Sequence, residues 1–174
     1  AEIRKHNNMI VVCGEALMDV YPGEDTATGM SLDARMGGSP FNVAVGLARM
    51  RQPVAFYSAI SSGAMGERLV RALQFEGVDI RALTRPAAPT TVSMVELNAE
   101  GTPSYRFHGA GCADSLLGSE SLTRVPEADA YQFGSYAMVL EPTGSTLLAL
   151  ARRESERALI AYDPNIRLNV EPRI

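Results

Sequence analysis

Three groups of polar residues in this sequence could do chemistry, and each follows an apolar run or opens a helical one. Asp19 ends the segment Gly14-Glu15-Ala16-Leu17-Met18-Asp19, just past the apolar run Met9–Cys13. Gly37-Gly38-Ser39-Pro40-Phe41-Asn42 leads into an apolar helical pattern, and Asp163-Pro164-Asn165-Ile166-Arg167 follows the apolar run Ala158–Tyr162. Carboxylates and amides suit paired hydrogen bonds to vicinal hydroxyls, and the guanidinium fork suits a phosphate or carboxylate. Paired glycines let backbone approach a ligand closely. A helix N-terminus with open N–H groups welcomes an oxygen-rich or anionic group. Taken singly, each group also has a plain reading. Asn42 can be a solvated residue in a first helical turn, Asp19 and Asp163 can cap loops, and Arg167 can form a surface ion pair of only ~0–1 kcal/mol.

What joins the groups is the scaffold that the rest of the chain implies. Met9–Cys13 reads as a parallel strand covered on both faces. Tyr21–Thr28 reads as a turn leading to Met30–Met36, whose alternation fits an exposed strand. Ser39 suits an N-cap and Pro40 the first helical position, with Phe41, Ala44, Val45 and Ala48 forming an apolar face. Val54–Ile60 reads as a second strand. The next helix carries Met65, Leu69, Ala72 and Leu73 on one face, an i,i+4 pair Glu67–Arg71, and Gly77 at its end. Thr90–Leu97 and Ser104–His108 flank the turn signal Asn98-Ala99-Glu100-Gly101, so a hairpin of half-exposed strands interrupts the βα rhythm. A short helical stretch near Asp114–Leu117, a strand at Ala130–Gly134, a helix opened by Pro142 and a buried strand at Ala158–Tyr162 complete the pattern. Repeated βα units imply α/β architecture, a mostly parallel sheet with helices on both faces and a small second sheet beside it. Such a sheet gathers the polar strand ends to one edge.

Composition narrows the function classes. The chain has 174 residues, 46% hydrophobic and 21% charged, with a formal net charge of −4. That mildly acidic balance, with no basic run, argues against a nucleic-acid or anionic-membrane surface. No stretch approaches the ~20 apolar residues of a spanning helix, and the early apolar run is too short for a signal-peptide core, so a cytoplasmic protein is expected. Ala1–Asn8 reads as a tag remnant or frayed end. Cys13 and Cys112 make neither a disulfide framework nor a zinc set, and His6 and His108 lie far apart, so no metal site is expected. Gly109-Ala110-Gly111 starts like a dinucleotide fingerprint, but Asp114 stands where the third glycine belongs; no phosphate-binding P-loop occurs.

Together the three groups resemble the ribokinase-like carbohydrate kinases of the pfkB family. Gly37-Gly38-Ser39-Pro40-Phe41-Asn42-Val43-Ala44, continuing to Leu47-Ala48-Arg49, is similar to that family's N-terminal signature, and the segments ending at Asp19 and Arg167 resemble its strand-end motifs. The fructokinase branch is most similar, from Gly14–Asp19, Pro89-Thr90-Thr91 and Gly111-Cys112-Ala113-Asp114. The 2-keto-3-deoxygluconate kinases and nucleoside kinases of the same fold stay open.

The resemblance implies an ATP-dependent phosphotransferase acting on a sugar hydroxyl, with fructose as the expected acceptor, ATP and Mg2+ as cofactors and a monovalent cation as a further one. It implies a ribokinase-like domain over residues 9–174 with lid strands at about 30–36 and 90–108. Asp19, Gly37, Gly38 and Asn42 would hold sugar hydroxyls, Arg106 would reach the sugar from the lid, and Asn165 with Arg167 would lie at the reacting end near the transferred phosphate. A neutral polyol rather than an anion is expected beside Gly38, because Asp19 would repel an anion. The family's catalytic aspartate motif and nucleotide-binding part have no counterpart in this sequence. The chain is therefore expected to be the N-terminal part of a kinase domain and inactive alone, the alternative being a half-length sugar-binding module. The exposed lid strands imply a homodimer formed through the lid.

Overall fold

A computed structural model describes residues 8–97 and 103–166. The described strands form two sheets. Sheet A contains β1 (Ile10–Cys13), β4 (Val54–Tyr57), β7 (Ala130–Gly134) and β8 (Leu159–Asp163) in the order β4-β1-β7-β8, every pair parallel. Sheet B contains β2 (Leu17–Thr26), β3 (Gly29–Gly37), β5 (Val92–Leu97) and β6 (Pro103–His108) in the order β3-β2-β5-β6. Its outer pairs are antiparallel and its central β2–β5 pair is parallel.

Alternation along the strands of sheet A feeds two hydrophobic cores. Val11, Cys13, Tyr57, Tyr131 and Phe133 face one side with Leu147 and Leu150 of helix α3 (Thr143–Glu154). Val12, Val54 and Phe56 face the other with Phe41 and Ala44 of α1 (Ser39–Arg49) and Leu69 and Leu73 of α2 (Ala64–Phe75). Each Val, Leu or Phe among them, buried fully, contributes about 1.5–3 kcal/mol of transfer free energy. Helices on both faces are what a parallel sheet needs to cover its two apolar surfaces. Among the described residues no helix is long and apolar enough to cross a membrane.

Several local expectations are corrected. Tyr21–Thr28 is not a turn: β2 runs to Thr26 and pairs with β3 almost to its tip, with a register shift between Pro22 and Asp25. Pro22 and Gly23 depress strand propensity, but hairpin pairing overrides it and the bulge absorbs the misfit. The α1 N-cap is Gly38 rather than Ser39, with no side-chain capping bond; its φ of 104° and ψ of 125° suit glycine alone. Glu67 does not pair with Arg71 through its carboxylate. It pairs with the half-buried Arg85, which also donates to Ile60 O and Ser61 O, while Arg71 Nε donates to the Glu67 carbonyl at 3.3 Å. Met65 is exposed, so the apolar face of α2 is set by Gly66, Leu69, Val70 and Leu73. Finally, β8 is not buried: Leu159 is 68% and Tyr162 56% exposed, because the strand pairs only with β7 among the described residues. The turn signal at 98–101 lies outside the described residues, as do residues 1–7 of the expected frayed end.

Candidate functional site

The sheet register explains why the polar groups meet. Cys13, Tyr57 and Phe133 are aligned across β1, β4 and β7, and Phe133 is aligned with Tyr162 of β8, so the carboxyl ends of the strands lie level. Immediately past β1 the chain turns into β2 and leaves sheet A, which lifts sheet B over that edge as a lid. Past β8, Asp163 turns the backbone by accepting a bond from Asn165 N at 3.0 Å, and Asn165 takes a φ of 44°, a region asparagine tolerates. Between the lid and the strand ends lies a cavity of about 550 Å3.

Asp19, Gly38, Asn42 and Asn165 all line this cavity. Asp19 stands on the inner face of the lid, with Arg35 of β3 and Ser93 of β5 as register partners. Burial pushes its carboxyl above the ordinary carboxylate value, and the nearby Ser93 hydroxyl pulls it part of the way back. Gly37 stands behind Asp19: a Cβ there would fall on Asp19 Oδ2. Gly38 presses against the turn before β2, where a Cβ would come within 2.8 Å of Glu15 O. The helix that follows carries Asn42 one turn in, its N–H bonded to Gly38 O at 3.0 Å and its amide at the cavity. Ser39, free of the capping role, lines the cavity beside it.

Arg106 is not brought to this group. The pairings Ser93↔Phe107 and Val95↔Tyr105 turn Tyr105 and Phe107 inward beside Asp19 and send Arg106 to the opposite face, where it forms an ion pair with Glu96 at 3.3 Å. The family resemblance offered Arg106, whereas register decides which face a strand residue occupies. Arg167 lies outside the described residues.

The structure adds residues that sequence reasoning did not assign to the site. Glu15 lines the cavity although it is only 2% exposed, and it accepts hydrogen bonds from Ser135 N at 3.4 Å and Ala137 N at 3.3 Å. Burial, reinforced by the charge of Asp114, pushes its carboxyl up to about 7, against the pull of those backbone bonds. Tyr136 stacks edge-on against Phe107 at 5.4 Å and donates its hydroxyl to Asp114. Asp114, itself buried, also accepts from Thr91 Oγ1 at 2.8 and 2.9 Å, and its carbonyl takes Thr143 Oγ1 at 2.8 Å. The root of the lid at Thr91 is thereby fastened to the loop after β7 and to the start of α3. The double carboxylate in Gly14–Asp19 was the one visible signal for Glu15; nothing local signals Tyr136.

The arrangement is a covered recess lined by hydrogen-bonding groups and aromatic side chains together, suited to an uncharged molecule rich in hydroxyls. Among the described residues no three His, Cys, Asp or Glu side chains converge as metal ligands. Compared with known proteins, residues 7–173 match the pfkB family of carbohydrate kinases. The chain belongs to that family. Its pfkB membership agrees with 34% identity over 160 residues to a fructokinase of Rhizobium leguminosarum bv. trifolii, a match covering 91% of this chain and 49% of that protein. The crystal structure of a fructokinase from Xylella fastidiosa superposes with a TM-score of 0.86 at 25% identity, covering 95% of this chain and 55% of the other. An uncharacterised sugar kinase from Pyrococcus horikoshii, in complex with ATP, gives a TM-score of 0.81 at 26% identity, covering 93% and 54%. The fold is thus the ribokinase-like one expected, and this pfkB chain spans about half the length of the relatives it matches.

Proposed function

We propose that this chain forms the sugar-binding part of an ATP-dependent kinase that phosphorylates a hydroxyl of a neutral ketose, fructose. The observation that carries the reading is the meeting of Asp19, Gly38 and Asn42 in one lidded cavity, with Gly37 making room for the Asp19 carboxylate. Asp19 accepts from adjacent sugar hydroxyls, Asn42 both donates and accepts, and Tyr105, Phe107 and Tyr136 cover the sugar's C–H face. Asn165, which lines the cavity, is assigned in this reading to the acceptor hydroxyl and the incoming phosphoryl group, together with Arg167 two positions later in the sequence. The family membership supports phosphoryl transfer, and the fructokinase relatives support the sugar.

ATP, Mg2+ and a monovalent cation belong to this proposal as donor and accessory ions. Phosphoryl transfer is mainly positioning and charge stabilisation, so this chain's contribution is to orient the sugar and keep water from it. The base that deprotonates the acceptor is proposed to lie outside this sequence, leaving the chain inactive by itself. The cell location proposed is the cytoplasm, and the assembly proposed is a homodimer joined through the lid strands.

The test is release of ADP by the whole protein that carries this chain, supplied with ATP, Mg2+ and a panel of fructose, 2-keto-3-deoxygluconate, ribose and nucleosides. Fructose-dependent release supports the reading, and release with another acceptor reassigns the substrate. Sugar binding without ADP release by the whole protein refutes the kinase in favour of a binding module. Asp19→Asn should raise the fructose KM at least ten-fold while leaving ATP affinity nearly unchanged; an unchanged KM removes Asp19 from the site.

A further inference from the structure

Ser93 occupies the middle of the lid, on β5, with Asp19 of β2 and Phe107 of β6 as its register partners. Its side chain is 0% exposed, and its Oγ makes no well-formed hydrogen bond among the described residues. A buried hydroxyl has given up water, so one left unpaired calls for an explanation. Its register partner on β2 supplies a charged acceptor on the same face, the Asp19 carboxylate. The hydroxyl favours the ionised form of that carboxylate, although the two do not reach hydrogen-bond geometry. Because Ser93 is covered completely, it reaches a ligand through neighbours that line the cavity, and of its register partners there, Asp19 and Phe107, Asp19 is the one that can accept its proton.

We propose that Ser93 is a positioning residue for sugar recognition: when sugar hydroxyls draw Asp19 into place, the Ser93 hydroxyl donates to the carboxylate from behind and holds its rotamer. This rests on the reading of Asp19 as a sugar ligand. The carboxylate thereby presents its remaining lone pairs to donors in the cavity, which favours a polyol over an anion. The register also makes the device local. Ser93 and Asp19 belong to neighbouring strands of one sheet, so their spacing is kept whether or not the lid moves as a body.

The experiment compares Ser93→Ala and Ser93→Cys in the whole protein, measuring fructose kcat and KM at saturating ATP. Alanine deletes the donor; cysteine keeps the volume with a thiol that donates weakly. Both variants are expected to raise KM about ten-fold with kcat within two-fold of wild type, the signature of lost binding rather than lost chemistry. In an Asp19→Ala background, Ser93→Ala should change kcat/KM by less than two-fold, since the group it positions is gone. The proposal is overturned if KM stays within two-fold for both variants, if the loss falls on kcat alone, or if the full penalty persists without the Asp19 carboxylate. Asp19→Ala with wild-type kcat/KM refutes the sugar-site reading itself, a result separable from any behaviour of Ser93.

Discussion

Replacing Glu15 by glutamine isolates one buried charge and makes its effect measurable as a change with pH. The carboxyl has an ordinary value of 4.5 and is raised to about 7 in the folded protein, chiefly by burial. Between those values the unfolded chain ionises Glu15 while the folded protein keeps it protonated. The folded state then binds more protons, so this group's contribution to stability declines as pH rises through that window and is level above it. At 1.36 kcal/mol per pH unit, the interval is worth about 3 kcal/mol, of which roughly 2.5 kcal/mol falls between pH 5 and pH 8. Glutamine keeps the size and one acceptor for the Ser135 and Ala137 N–H groups, and whatever its extra amide hydrogens cost is independent of pH. Urea unfolding of both proteins at pH 5 and pH 8 should therefore show the glutamine variant gaining roughly 2.5 kcal/mol on wild type across that interval. Parallel curves would mean that Glu15 is ionised in the folded state and that burial does not govern it.

Two further outcomes test the site and the assembly. Gly37→Ala should raise the fructose KM of the whole protein at least ten-fold and cost about 1–3 kcal/mol in urea unfolding, since the new methyl displaces Asp19 Oδ2; wild-type KM would show that the carboxylate's present position is not the working one. On the outer strand of the lid, Met30, Leu32 and Met36 are 58%, 55% and 45% exposed; light scattering at micromolar concentration should give a dimer that Leu32→Glu converts to monomer, and a monomeric wild type would refute assembly through the lid.

The parallel layer was legible because its evidence is local. Val11–Cys13 and Val54–Tyr57 are apolar runs too short for helices, Tyr131 and Phe133 alternate with Gln132, and the patterns between them have helical period. Asp19, Gly38 and Asn42 were legible for the same reason, since each stands beside a strand end or a helix start. The lid was harder. Pro22 and Gly23 hid most of β2 because pairing with β3, not propensity, makes it a strand. Arg106 faces away while Tyr105 and Phe107 line the cavity because a one-residue difference in register exchanges the faces, and no residue in the hairpin announces it. Tyr136 and Asp114 meet only through tertiary folding, 22 residues apart in sequence.

The fit of Asp19 into the space left by Gly37 ties the history of those two positions together. A side chain acquired at position 37 while aspartate stays at 19 displaces that carboxylate from its present position. Substitutions at the pair must therefore arrive jointly or pass through an impaired intermediate. Among pfkB proteins that have changed substrate, these two positions are expected to vary together even though they lie 18 positions apart in the chain.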